Sequence, residues 1–143
     1  MKYKVAFVCV GNSCRSQMAE GFAKEFGSDV LEVYSAGTHP AGRVNQNAVE
    51  VMKEKGIDIC GQYPKLLEDI PKNLDILITM GCEVECPFVP SKIREDWGLN
   101  DPVGKPLKFF RKIRDIIEVK VKELVKKTKE GTIESKNDYN CLL

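Results

Sequence analysis

Residues 8–18, VCVGNSCRSQM, decide the fold, because the hydrophobic period changes inside them. The apolar run Val5–Val10 has strand length and stops at Gly11 and Asn12, which suits a strand covered on both faces. Beyond the turn, Met18, Ala19, Phe22, Ala23 and Phe26 recur at helical spacing until Gly27 and Ser28 close the segment. The local order is thus strand, tight turn, helix, with Cys9 ending the strand and Arg15 starting the helix.

Working outward, the alternation continues. Val30–Ser35 reads as a second strand, and Asn47–Lys55 as a second helix ended by Gly56. Leu74–Met80 reads as a third buried strand, and a weaker fourth lies near Lys92–Trp97. Leu107–Lys129 is a long helix with Phe110, Ile113, Ile117, Val121 and Leu124 on one stripe. Strands alternating with helices imply right-handed crossovers, a parallel sheet, and a ligand site beyond the carboxyl ends of the strands. The expected fold is an α/β three-layer sandwich, a four-stranded parallel sheet flanked by helices. Residues 1–130 form the domain, and residues 131–143 read as a polar, flexible tail.

Composition narrows the function. The 143 residues carry 22 Lys plus Arg against 21 Asp plus Glu, a formal charge of +1, so no global field attracts nucleic acid or a membrane surface. Anion recognition must then be local. The apolar stretch in MKYKVAFVCV is too short for a signal segment or a membrane span, and the chain reads as a cytoplasmic monomer. Six cysteines in such a chain point to catalysis or metal binding before a disulfide framework.

The turn itself has chemistry. From Cys9 to Arg15 the pattern is C-x5-R, followed by Ser16. A loop of this length curled into a helix start aims backbone N–H groups and the positive end of the helix dipole at one point, so Val10, Gly11, Asn12, Ser13, Cys14, Arg15 and Ser16 form a candidate oxyanion cradle. Gly11 and Asn12 are residue types that tolerate the left-handed backbone a tight curl needs. The donors that hold an anion also favour a thiolate, and pKa values of about 3.5 to 7.5 occur in such surroundings. Arg15 adds a planar fork suited to two oxygens of a tetrahedral ion.

CVGNSCRS at 9–16, YSAGT at 34–38 and EDWGLNDPVGK at 95–105 occur in an order that resembles the low-molecular-weight protein tyrosine phosphatase superfamily, which includes the thioredoxin-coupled arsenate reductases. The resemblance covers roughly residues 3–125. It implies that Cys9 is the nucleophile, Arg15 the oxyanion clamp, Ser16 a hydroxyl partner of the Cys9 sulfur and Asp101 the general acid, with Asn12 holding the loop's shape. In some arsenate reductases the positions resembling Asn12, Glu20 and Ser35 surround a potassium ion; otherwise no bound cofactor is implied.

Two chemistries compete within that family, hydrolysis of a phosphomonoester and reduction of arsenate. Cys82 and Cys86 follow the third strand at the same sheet edge as Cys9. Reduction needs two electrons, and no flavin or nicotinamide motif is visible. The resemblance implies a relay in which a Cys9–Cys82 disulfide passes to Cys82–Cys86, which thioredoxin then reduces. Gly81 and Pro87 read as hinges of the relay loop. Six residues separate the relay cysteines in the better-known members, whereas only Glu83, Val84 and Glu85 do so here. Packing, or zinc bound with Cys9 and Cys14, are the other uses for these thiols. Cys14 reads as a structural thiol or as a partner that shields Cys9 from overoxidation. The segment after Ser35 and the D-P-V-G-K run lack the aromatics that grip a phenol ring, which favours a small inorganic oxyanion, arsenate or phosphate. The reading is an arsenate reductase with weak phosphatase activity. A phosphatase proper and a non-catalytic oxyanion-binding or redox-sensing module are the alternatives.

Overall fold

A computed structural model describes residues 2–81 and 89–131. In chain order the elements are β1 (Tyr3–Cys9), α1 (Arg15–Gly27), β2 (Leu31–Gly37), α2 (Gln46–Lys53), a 3-10 turn (Leu67–Asp69), β3 (Leu74–Thr79), β4 (Ser91–Asp96) and α3 (Leu107–Glu130). The expected strands and helices all form, with ends displaced by one or two residues. β1 starts earlier, at Tyr3, because its first two residues pair with Leu31 and Glu32 of β2. α3 stops at Gly131, which takes the left-handed conformation (φ 72°) that closes a helix. The expected tail lies outside the described residues, apart from Gly131.

All strand pairs are parallel, in the order β2-β1-β3-β4. The chain therefore leaves β1 toward one side for β2, then returns past β1 to β3 and β4. Val5, Phe7 and Cys9 of β1 pack with α1, α2 and α3, in a core holding Phe22, Met52, Phe110 and Ile117. Ala6 and Val8 face the other way and meet Ile70, Leu74 and Leu77, with Leu67 of the 3-10 turn and Val89 against them. A strand covered on both faces is what the unbroken apolar run of β1 requires. Phe7, Phe22 and Phe110 are fully buried, each contributing about 2–3 kcal/mol from apolar burial.

The winding reverses between β1 and β3, so a crevice opens at their carboxyl ends. Cys9, the last residue of β1, stands at its floor.

Candidate active site

The turn after β1 is shaped from outside. Thr38, His39, Ala41 and Asn45 donate their backbone N–H groups to the carbonyls of Cys9, Val10, Gly11 and Ser13, at 2.9–3.2 Å. The remaining carbonyl, that of Asn12, accepts from Gln17 Nε2 at 2.9 Å. With every carbonyl of residues 9–13 turned outward, the inside of the curl is left to amides. The helix start adds to this: Cys14 caps α1 with no side-chain hydrogen bond, so the first-turn N–H groups are left for an anion. Of the two residues that tolerate the left-handed backbone, Asn12 takes it (φ 49°) and Gly11 does not. One left-handed residue suffices because the 38–45 segment supplies the rest of the curvature. Gly37 is where that segment and the loop meet: a Cβ there would lie 2.5 Å from the Val10 carbonyl oxygen and 3.1 Å from the Asn12 nitrogen.

Inside the curl, the Cys9 sulfur lies 3.0 Å from Ser16 Oγ and 3.2 Å from the Asn12 N–H. A chain of donors sets the polarity of the first contact. The Lys65 N–H donates to Asn12 Oδ1 at 2.9 Å, which fixes the orientation of the amide. Asn12 Nδ2 then donates to Ser16 Oγ at 2.7 Å, leaving the Ser16 hydrogen to point at sulfur. The Cys9 sulfur is thus held between the Ser16 hydroxyl and the Asn12 N–H, within the amide-lined curl.

Cys14, five residues away, has different neighbours. Burial pushes its thiol up to about 12, opposed by a hydrogen bond with Ser13 and reinforced by the charges of Asp101 and Cys9. The two thiols of the turn are chemically unequal.

Arg15, almost fully buried, reaches across the crevice. Its Nη1 donates to the carbonyls of Met80 (3.0 Å) and Leu99 (2.9 Å), and Nη2 lies 3.9 Å from Asp101 Oδ2. The guanidinium thus ties the end of β3 to the loop after β4. Asp101 is 56% exposed at its side chain and accepts from the Val103 N–H at 3.1 Å, the turn expected before Pro102. A pocket of about 250 Å³ joins these groups, lined by Cys9, Val10, Gly11, Ser13, Cys14, Arg15, Asp101 and Val103. Among the described residues no aromatic side chain lines it; Tyr63 lies instead against Lys65, on the other side of the loop.

Cys82, Cys86 and Pro87 lie outside the described residues. Gly81, expected to be a hinge, is clamped. Its φ is +102°, its N–H donates to Asp96 Oδ1 at 3.1 Å, and a Cβ there would stand 2.6 Å from the Leu99 carbonyl oxygen. Thr79 Oγ1 donates to the same Asp96 oxygen at 2.6 Å, so the exit from β3 is fixed up to Gly81.

Glu20 and Ser35 meet directly and Asn12 is linked to them through Lys65, an arrangement that does not fit a potassium ion. Glu20 Oε1 accepts from Ser35 and lies 3.6 Å from Lys65 Nζ, while Oε2 pairs with Lys24 Nζ at 2.5 Å. Asn12 has its one side-chain oxygen engaged by the Lys65 N–H. Two ammonium groups already balance the carboxylate, and a further cation would meet their repulsion.

The sequence reading missed Lys65, Gln17 and the donors at 38–45. Gly37, inside YSAGT, was the one local sign, since a glycine at a strand end marks close backbone approach. Lys65 had none, standing 53 residues from Asn12.

Comparison with known proteins places this arrangement. The family described as low molecular weight phosphotyrosine protein phosphatase matches residues 4–134. The arsenate reductase of Staphylococcus aureus (strain Newman) is 44% identical over 124 residues, covering 84% of this chain and 94% of that one. A solved arsenate reductase in the phosphate binding state superposes with a TM-score of 0.81 at 43% identity, over 90% of this chain and 99% of that one. A Corynebacterium glutamicum thioredoxin-dependent arsenate reductase superposes with a TM-score of 0.75 at 30% identity, over 91% of this chain and 63% of that one.

Proposed function

The chain belongs to the low molecular weight phosphotyrosine protein phosphatase family, and on that premise we propose that it reduces arsenate to arsenite with electrons from its own cysteines. The observation that carries the choice of substrate is the pocket over Cys9: backbone, two thiols, Arg15, Asp101 and Val103, with no aromatic wall for a phenol among the described residues. A small tetrahedral oxyanion needs no such wall. The similarity to the S. aureus arsenate reductase supports the same substrate.

Arsenate enters against the loop amides, with Arg15 balancing its charge. The Cys9 thiolate attacks arsenic, and Asp101, facing the pocket from the opposite wall, protonates the departing oxygen so that it leaves as water. Cys82 then attacks the Cys9 sulfur. The sulfur–arsenic electron pair leaves with arsenic, which becomes arsenite, while the two sulfurs that gave up two electrons form a disulfide. Cys86 attacks Cys82 in turn, freeing Cys9 and leaving Cys82–Cys86 for an external dithiol. Thioredoxin is the proposed dithiol, in keeping with the thioredoxin-dependent C. glutamicum relative. Site and relay roles rest on the family pattern together with the geometry around Cys9.

Phosphomonoester hydrolysis is the second reading, favoured by the same Cys9, Arg15 and Asp101, which serve phosphoryl transfer without change of place. One assay pair separates the two. Arsenite production driven by thioredoxin that is lost in Cys82→Ser, with slow p-nitrophenyl phosphate hydrolysis retained, supports the reductase. Rapid hydrolysis indifferent to Cys82 and Cys86, with no arsenite formed, overturns it.

A further inference from the structure

We propose that Lys65 is a positioning residue whose ammonium is a tethered cation: it supplies the positive charge that the buried Glu20–Ser35 corner needs, so the oxyanion loop is held without an alkali-metal ion. Glu20 is 4% exposed and Ser35 fully buried, and a carboxylate in such a place requires a cation partner. Two lysines face it, with different standing. Lys24 comes from solvent on the same helix, its side chain 52% exposed, and is free to adjust. Lys65 is 15% exposed at its side chain and fixed at several points: its N–H on Asn12 Oδ1, its carbonyl on the Gly37 N–H at 2.8 Å, and its Nζ on the Tyr63 carbonyl at 2.7 Å and 4.8 Å from the Tyr63 ring.

Those anchors converge on Asn12 from two sides. The Lys65 N–H holds the Asn12 side chain that orients Ser16 toward the Cys9 sulfur. The Tyr63 carbonyl, gripped by Lys65 Nζ, also accepts from Gln17 Nε2 at 3.0 Å, and Gln17 holds the Asn12 carbonyl. Removing the ammonium leaves Glu20 with the solvent-exposed Lys24 as its one cation partner among the described residues and loosens the 63–65 segment, so both restraints on Asn12 weaken. A pocket of about 210 Å³ opens beside the carboxylate, lined among others by Glu20, Lys24, Tyr63 and Lys65, with room for an ion once the lysine is gone.

The inference does not depend on which oxyanion reacts, and its probe is inorganic phosphate. Phosphate affinity and thermal midpoint are measured in KCl, NaCl and choline chloride at equal ionic strength, for the wild type, Lys65→Met and Lys24→Met. The wild type is expected to show no difference among the three salts. Lys65→Met is expected to melt lower and bind phosphate about 5- to 50-fold more weakly in choline, with saturable recovery of both in KCl or NaCl. Lys24→Met is expected to change phosphate affinity less than about 2-fold, because its half-exposed ammonium pairs with Glu20 and not with the groups that hold Asn12. Glu20→Gln removes the demand for charge, so adding Lys65→Met to it should cost little more, and this pair decides the matter if Lys65→Met does not fold. A saturable gain of wild-type stability with an alkali cation over choline, a Lys65→Met protein equal to wild type in choline or unrescued by either alkali cation, or a Glu20→Gln/Lys65→Met pair as damaged as Lys65→Met, overturns the proposal.

Discussion

The two loops that face each other across the crevice are built differently. Residues 9–13 have every carbonyl tied to a donor, and the side chains of Cys9 and Asn12 are buried. Residues 98–105, which carry Asp101, are held by the Arg15 bond to Leu99, the close fit of Gly81 against Leu99, and the Asp101–Val103 turn, with the carboxylate half in water. On the proposed mechanism, recognition is therefore pre-organised, so little ordering is paid on binding, whereas Asp101, the proposed proton donor, has freedom to approach its oxygen and withdraw. Arg15, at the start of α1 just beyond the first loop, reaches the second through Leu99 and Asp101 and so joins the two.

Substitutions can break this contrast in graded ways. Cys9→Ser should abolish turnover, by about 10⁴-fold or more, while phosphate still protects the fold in a melting assay. Arg15→Lys should lower kcat/KM by about 10²- to 10³-fold, since an ammonium cannot hold the Met80 and Leu99 carbonyls and also present a fork to the oxyanion. Asp101→Asn should lower kcat by about 10²-fold with phosphate affinity and thermal midpoint almost unchanged, the signature of a group outside the binding framework. Gly37→Ala should act in the reverse sense, destabilising by about 1–3 kcal/mol and weakening phosphate binding, because the new methyl displaces the Val10 carbonyl. Cys14 sharpens the comparison most gently. Raised to about 12, it stays a thiol at neutral pH, so iodoacetamide at pH 7 should label Cys9 in the native protein and reach Cys14 only on unfolding.

How much of this was legible in the sequence follows from distance along the chain. The strand, turn and helix around Cys9 were readable because Val5–Val10 and the Met18–Phe26 stripe are local patterns, and Asp101 because its motif is contiguous. β4 gave only a faint signal, since it is an edge strand with Ile93 as its one buried residue. The partners of Arg15 lie 65 and 84 residues away, and Lys65 is 53 from Asn12, separations that only the parallel register brings together. What the Glu20 corner can hold was hidden for the same reason, since folding brings two ammonium groups to the carboxylate. Of those, Lys24 was visible at helical spacing from Glu20, but Lys65 was not.

The most direct test of the central claim, that Cys9 passes its oxidation to thiols of the same chain, is mass spectrometry of the fully reduced protein after one arsenate turnover without external reductant. One arsenite per chain and a Cys82–Cys86 disulfide are expected, with Cys9 again free and Cys14 untouched. Arsenite formed with a Cys9–Cys14 disulfide, or no arsenite and every thiol still reduced, would contradict it.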